Sequence, residues 1–264
     1  MKQISISTCF DYSIPLHEQL PLIKKAGFSH VSLGGNYNHS GILNLTSAKQ
    51  LGNQLASHAL AMDTIHCVSL DMPDALETTK QVAEAAVLLS APVIVLHCSA
   101  FDISPEQYDR RRKDLLAMLP PLEAIAKDAG IRFALENVMP GVATELVTGV
   151  LAEANPLHIG FCYDSSHDQV DGPRLFTLLE QWKHRLLAVH LSDRIMEFVD
   201  HVLPGEGFIA FDEVCALIRQ SGYKAPLLME VMMTHSKFKE PAVFLREAYL
   251  RAEALYDRIY EADT

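Results

Sequence analysis

A chain of 264 residues, 49% of them hydrophobic, is long enough for one large domain or two small ones and can bury a substantial core. Its formal net charge of −11 argues against a nucleic-acid backbone as partner, which calls for clustered Lys and Arg, but says nothing against a small sugar. No apolar run reaches the roughly 18 residues of a membrane span, and the initial MKQISISTCF lacks a signal-peptide core, so a cytoplasmic protein with no membrane partner is expected. The five cysteines (Cys9, Cys67, Cys98, Cys162 and Cys215) form no C-x-x-C pair, and four of them sit in strand-like apolar runs. They read as reduced core residues rather than metal ligands.

Strand and helix patterns alternate along the whole chain. Residues 3–9 read as a strand and 16–26 as a helix closed by Gly27. Strand two covers 30–35, and a polar loop with Asn36, Asn38 and Gly41 leads into a helix over 47–58. Strand three, 62–68, precedes a helix over 73–89, with Pro73 in its first turn. Strand four, 92–98, is apolar on both faces, and a helix over 105–129 follows, closed by Gly130. In it Arg110, Arg111, Arg112 and Lys113 read as a solvated face. Strand five (131–137) and a helix over 144–153 precede LHIGFCYDSSH at 157–167, where Leu157, Ile159, Phe161 and Tyr163 alternate as a strand ahead of a polar cluster. A helix over 175–182, strand seven (186–192), a long loop, a helix over 211–220, strand eight (226–232) and a helix over 241–260 complete the pattern. Eight such units without a linker predict an α/β fold, a single closed (β/α)₈ barrel spanning 1–264, with its site at the carboxyl ends of the strands. A doubly wound open sheet is the second choice, but no G-x-G-x-x-G follows strand one.

Four apolar runs end in chemistry-bearing residues: Glu136 in ALEN, Asp164 in CYDSSH, His190 in AVHLSD and Glu230 in LLMEV. Each alone is equally a helix cap or a buried ion pair. Together, on successive strand ends, they suit one divalent ion. Carboxylate oxygens with one imidazole favour Mn²⁺ or Mg²⁺, with Co²⁺ and Zn²⁺ acceptable. His66 and His97 also lie at strand ends, with His167 and His201 in the loops beyond. A single histidine in an apolar run is usually a core residue, but these four are expected to line a polar pocket. His17, His30, His39, His58, His158 and His184 read as structural, and His235 is ambiguous. Arg194, His235, Lys237 and Lys239 follow strands seven and eight, where barrels often hold phosphate, and are equally surface charges.

The motifs ALEN (134–137), CYDSSH (162–167), VHLSD (189–193), HVLPGEGFIAFDEV (201–214) and LLMEV (227–231), with His66 and His97, resemble the xylose isomerase-like TIM-barrel superfamily of sugar and sugar-phosphate isomerases and epimerases, which also contains endonuclease IV. The resemblance implies one divalent metal held by Glu136, Asp164, His190 and Glu230. In the ketose 3-epimerase branch the two glutamates are also the acid–base pair, one on each face of the substrate. Such chemistry removes a proton beside a carbonyl and holds the enediolate charge. His66, His97, His167, His201, Glu206 and Arg194 are then expected to contact the sugar. Endonuclease IV needs three zincs and an aspartate two residues before the position of His201. Here Val199 stands there, with Asp200 adjacent. A dehydratase acting on an inosose-like ketone uses the same metal and base but expels a hydroxyl. A sugar-binding barrel without turnover is the reading from another class. A homo-oligomer is left open.

Overall fold

A computed structural model of the chain describes residues 2–99, 103–168, 176–196 and 200–261. Its strands are β1 (Ile4–Ser7), β2 (His30–Leu33), β3 (Ala61–His66), β4 (Val93–His97), β5 (Arg132–Glu136), β6 (Ile159–Asp164), β7 (Leu186–Leu191) and β8 (Leu227–Met229). Each pairs in parallel with the next, and β8 returns to β1, so the sheet closes into the expected α/β barrel. Around it lie α1 (Leu16–Ala26), α2 (Tyr37–Ser40), α3 (Leu45–Ser57), α4 (Ala75–Leu89), α5 (Tyr108–Ala129), α6 (Val142–Leu151), α7 (Thr177–Trp182), α8 (Phe211–Ser221) and α9 (Pro241–Tyr260). Among the described residues no helix is long and apolar enough to cross a membrane.

Strand periodicity divides the core into two layers. Side chains alternate faces along a strand. Ile94, Leu96, Phe133 and Phe161 belong to the large core between sheet and helices. Val93, Val95, Ala134, Cys162 and Ala188, their neighbours of opposite parity, form a separate cluster of small side chains inside the barrel. All five cysteines are buried and free.

Several boundaries differ from the sequence reading, each for a local reason. Strand one stops at Ser7, whose hydroxyl accepts from the Cys9 N–H and starts a 3₁₀ turn over Thr8–Phe10. The helix expected from residue 47 starts at Leu45 because the Asn44 side chain accepts from the N–H groups of Thr46 and Ser47. Pro73 is not in a first helical turn. Asp74 takes a left-handed conformation (φ 58°), and α4 begins only at Ala75. Pro105 lies in a 3₁₀ turn before α5. Leu157 lies outside β6 and is 73% exposed, with its N–H turned to the Asn155 side chain. Part of the polar loop after β2 winds into α2, capped by Asn36 and ended by Gly41 at φ 67°. The start of the helix expected from 175 falls outside the described residues.

One interior group is charge-sensitive. Asp63 on β3 is 3% exposed, and its Oδ2 makes no hydrogen bond. Burial raises its carboxyl to about 7, against smaller opposing effects of Ser5 and His190. The folded state therefore keeps the proton to higher pH than the unfolded chain. Stability from this group is full below about pH 4 and falls as pH rises towards about 7, by about 1.4 kcal/mol per unit. Asp63→Asn, which cannot ionise, should flatten that decline and leave the metal-free protein more stable than wild type at about pH 8. Urea unfolding at about pH 5 and 8 measures this, and an unchanged pH slope in the variant would contradict it.

Candidate metal centre

The barrel register assembles the site. Glu136 and Asp164 end β5 and β6, His190 is the penultimate residue of β7, and Glu230 lies just past β8. His97 pairs with Glu136 across β4 and β5, and Asp164 pairs with His190 across β6 and β7. By strand parity His97, Glu136, Asp164 and His190 follow Val95, Ala134, Cys162 and Ala188 on the inner face. They form the layer above the small-residue core.

One donor atom each from Glu136, Asp164, His190 and Glu230 lies within 4.8 Å of all the others. His190 Nδ1 is 2.6 Å from Glu230 Oε2 and 3.3 Å from Glu136 Oε1. Neither contact has hydrogen-bond geometry: both ring nitrogens of His190, with Glu136 Oε1 and Asp164 Oδ2, are buried without a hydrogen bond. Orphaned acceptors converging on one point fit a cation, and hard oxygens with one imidazole fit a divalent one. Asp164 is also a cap. Its Oδ1 accepts from the N–H of Ser166 at 2.7 Å, the Ser166 hydroxyl at 2.9 Å and the N–H of His167 at 3.2 Å, while its Oδ2 is left facing the cluster. One oxygen of this aspartate therefore serves as a cap, and the other faces the donor cluster without a hydrogen bond.

Three further donor groups overlap the first. Cys162 joins Glu136 and His190, His66 and His97 join Glu136, and His167 and His201 join Asp164. His66 Nε2 is 3.1 Å from Glu136 Oε2 and 3.2 Å from His97 Nε2. His167 Nδ1 lies 3.1 Å from the Asn137 carbonyl, and its Nε2 makes no hydrogen bond. His201, at φ 42°, places Nδ1 3.0 Å from the Ser192 hydroxyl. Val199 lies outside the described residues. Asp200 Oδ2 accepts from the N–H groups of Ile195 and Met196.

Arg194 and Glu206 are not in these groups. Arg194 is 3% exposed, donates to the carbonyls of Ser166 and Asp168, and stacks 5.3 Å from the Phe208 ring. Glu206 accepts from the Ser236 hydroxyl, with Lys237 at 3.9 Å. Lys239 donates to the Thr234 carbonyl. On α5, Arg110, Arg111 and Arg112 pair with Asp114, Asp71 and Glu153.

The sequence reading missed the residues that hold these groups in place. The Asn137 carboxamide accepts from the Asp164 N–H at 2.9 Å and donates to the Asp164 carbonyl at 2.8 Å, locking the β5 end to the β6 end. Ser165 donates to the Ser192 carbonyl and accepts from its N–H, which does the same for β6 and β7. Fully buried Asp193 collects the N–H groups of Arg194, Gly205, Gly207 and Ile209 at 2.8 to 3.0 Å. The available signal was a polar residue directly after a strand-end acid, Asn137 after Glu136 and Ser165 after Asp164.

Charge is unevenly shared. Burial opposes ionisation of Glu136 and Glu230, but neighbouring histidines win. Glu136 is held well below its ordinary value by His190, His97 and His167, and Glu230 falls to about 2, chiefly through His190. Burial likewise opposes a charge on His190, yet the adjacent Cys162, Glu230 and Glu136 hold it well above its ordinary value. His66 and His97 diverge. Burial lowers both, and only His66, bonded to Glu136, ends above its usual value. The charge of Glu136 and Glu230 thus favours protonated imidazole at His190 and His66.

Comparison with known proteins gives this arrangement a family. Inosose dehydratase of Bacillus licheniformis is 24% identical over 241 residues, which span 81% of this chain and 80% of that protein. A zinc-bound IolI protein superposes with a TM-score of 0.82 at 17% identity, covering 98% of this chain and 99% of the other. A D-tagatose 3-epimerase-like protein gives 0.72 at 17% identity, covering 99% and 100%. The family model for the xylose isomerase-like TIM barrel matches residues 20–248, so the chain belongs to that family.

Proposed function

We propose that the protein is a divalent-metal-dependent isomerase or epimerase of sugars or sugar phosphates, with Glu136, Asp164, His190 and Glu230 as ligands of one ion, Mn²⁺ in first place. The observation that carries this reading is the convergence of four donors within 4.8 Å, several of them orphaned. The ion would act as a Lewis acid on the substrate's carbonyl and hydroxyl oxygens. Glu230, ionised and 13% exposed at its side chain, takes the proton beside the carbonyl. Glu136, 1% exposed and itself ionised, serves the opposite face by passing on a proton taken from His66, whose Nε2 is 3.1 Å from its Oε2. His66 and His97, whose side chains are 14% and 17% exposed, contact substrate hydroxyls, with His167 and His201 on the far side. Arg194 and Glu206 shape the wall beyond β7.

A dehydratase acting on an inosose-like ketone is the second reading, favoured by the Bacillus licheniformis relative. It shares the proton abstraction and differs in losing a hydroxyl. Ketoses, ketose phosphates and inososes incubated with Mn²⁺-loaded protein in D₂O separate the two by NMR. An epimerase or isomerase incorporates deuterium into a product of unchanged formula, whereas a dehydratase forms a product lacking water. A panel in which no compound exchanges or reacts overturns both.

Metal binding should be proton-linked. The carboxylates around His190 favour its protonated form, and a metal bound at its ring nitrogen would displace that proton. Affinity should therefore rise with pH by about tenfold per unit for each proton released, until pH passes the raised His190 value. Elemental analysis should find one ion per chain, and titration at several pH values should show the slope. Three ions per chain would instead assign His66, His97, His167 and His201 as ligands.

Glu136→Gln and Glu230→Gln keep an oxygen donor but remove the base. Each should lower turnover by at least about 10²–10⁴-fold while metal content falls far less. In a 3-epimerase each variant should retain solvent exchange of the C–H proton on the face served by the remaining glutamate. Near-normal turnover in both metal-loaded variants would move the acid–base role to a pocket histidine or a metal-bound hydroxide.

A further inference from the structure

Beside the barrel mouth lies a cavity of about 580 Å³ between the β1–α1 loop, α2 and α3, within the roughly 300–1,000 Å³ range of small-molecule sites. Its polar lining includes Tyr12, Asn36, Asn38, His39, Gln50 and Gln54. A second hollow shares Tyr12, Asn36 and Asn38 and runs on to Gly35. A Cβ on Gly35 would lie 3.7 Å from His66 Nδ1, and His66 reaches Glu136. Gly35 thus adjoins the Nδ1 edge of His66, and a group attached to a ring at the centre would take its passage to the outer cavity beside it.

The chemistry of the lining is selective. None of the residues around either hollow is Asp, Glu, Lys or Arg, although these make up 21% of the chain. Carboxamides and imidazoles offer both donors and acceptors without a fixed charge, as hydroxyl groups do. Tyr12, Pro15, Leu16 and Leu51 supply apolar surface for C–H faces. The wall is also fixed in place: His39 bonds the Ile14 carbonyl at 2.8 Å and stands edge-on to Tyr12 at 5.1 Å. A phosphate would call for Arg, Lys or an array of free N–H groups, and this lining has neither Arg nor Lys.

The geometry points to a subsite for a second, uncharged sugar ring, so that the substrate of this centre is a glycoside rather than a lone monosaccharide. This rests on the sugar-active reading of the centre and extends it. In a glycoside the reacting ring sits at the strand ends while the attached ring passes Gly35 and lies against Tyr12, Asn38 and Gln50.

The test is titration of the Mn²⁺-loaded protein with cellobiose, maltose and trehalose against glucose, with glucose 6-phosphate as the charged comparison. At least one disaccharide should bind about tenfold or more tighter than glucose, equivalent to about 1.4 kcal/mol, and the phosphate should add nothing. The double variant Asn38→Ala/Gln50→Ala should bring the disaccharide-to-glucose ratio close to one. Gly35→Leu, at a backbone position that tolerates a side chain, should do the same by closing the passage. Equal affinity for mono- and disaccharides, or a ratio that survives both variants, overturns the subsite. Deuterium exchange on ketoses is read separately. Exchange without a disaccharide preference removes the subsite and leaves the proposed reaction standing, whereas a preference without exchange leaves the subsite and removes the reaction.

Discussion

The rest of the site depends on forcing three carboxylates, Glu136, Asp164 and Glu230, into one small buried volume. Two like charges about 4 Å apart repel by about 4 kcal/mol at an effective dielectric constant of about 20, so the arrangement cannot stand by itself. Parallel strand pairing holds the carboxylates at adjacent ends, and His190 lies between two of them. Among these side chains the compensating charge is the proton that Glu230 and Glu136 favour on the His190 imidazole. A divalent cation would replace that proton with a stronger counter-charge and satisfy the orphaned oxygens as well. The closed sheet therefore supplies rigidity that the electrostatics oppose.

That rigidity comes from backbone bonds one layer away. Asn137 and Ser165 each both donate to and accept from the main chain of the next strand end. Asp193 gathers four N–H groups of the β7 loop and so fixes the segment that carries His201 and Glu206. Arg194 ties the β7 loop to the β6 loop through two carbonyls. The motif residues near the strand-end donors are thus fasteners. Their bonds place the donor side chains and leave them little freedom.

The barrel and the four strand-end residues were legible in the sequence for one physical reason. A strand buried on both faces must read as an apolar run, so a charged residue at its end stands out, and strand parity gives its direction. Boundaries were less legible where a side chain redirected the backbone, as Ser7 does after β1 and Asn44 does before α3. Leu157 misled because apolar alternation continues two residues beyond the hydrogen-bonded ladder. The work of Asn137, Asp193 and Arg194 was not legible because their partners are main-chain groups of other segments, which no side-chain pattern records. The outer cavity was hidden because its lining is scattered from Tyr12 to Gln54, and what unites it is a lack of charge that appears only when those segments meet.

Each of the four overlapping donor groups draws on Glu136 or Asp164, which ties ion number to proton count. His66 and His97 stand 3.2 Å apart at Nε2, and their environments favour a proton on His66 and oppose one on His97. With His66 protonated, Glu136 Oε2 is engaged as an acceptor and its Oε1 remains for the central group. A second ion between the histidines would have to displace that proton and draw on the same carboxylate. Each added cation therefore costs the first some of its ligand charge. Within this layer the central group has the greatest concentration of carboxylate. Binding should start there, and the outer histidines are left as hydrogen-bonding groups suited to hydroxyls.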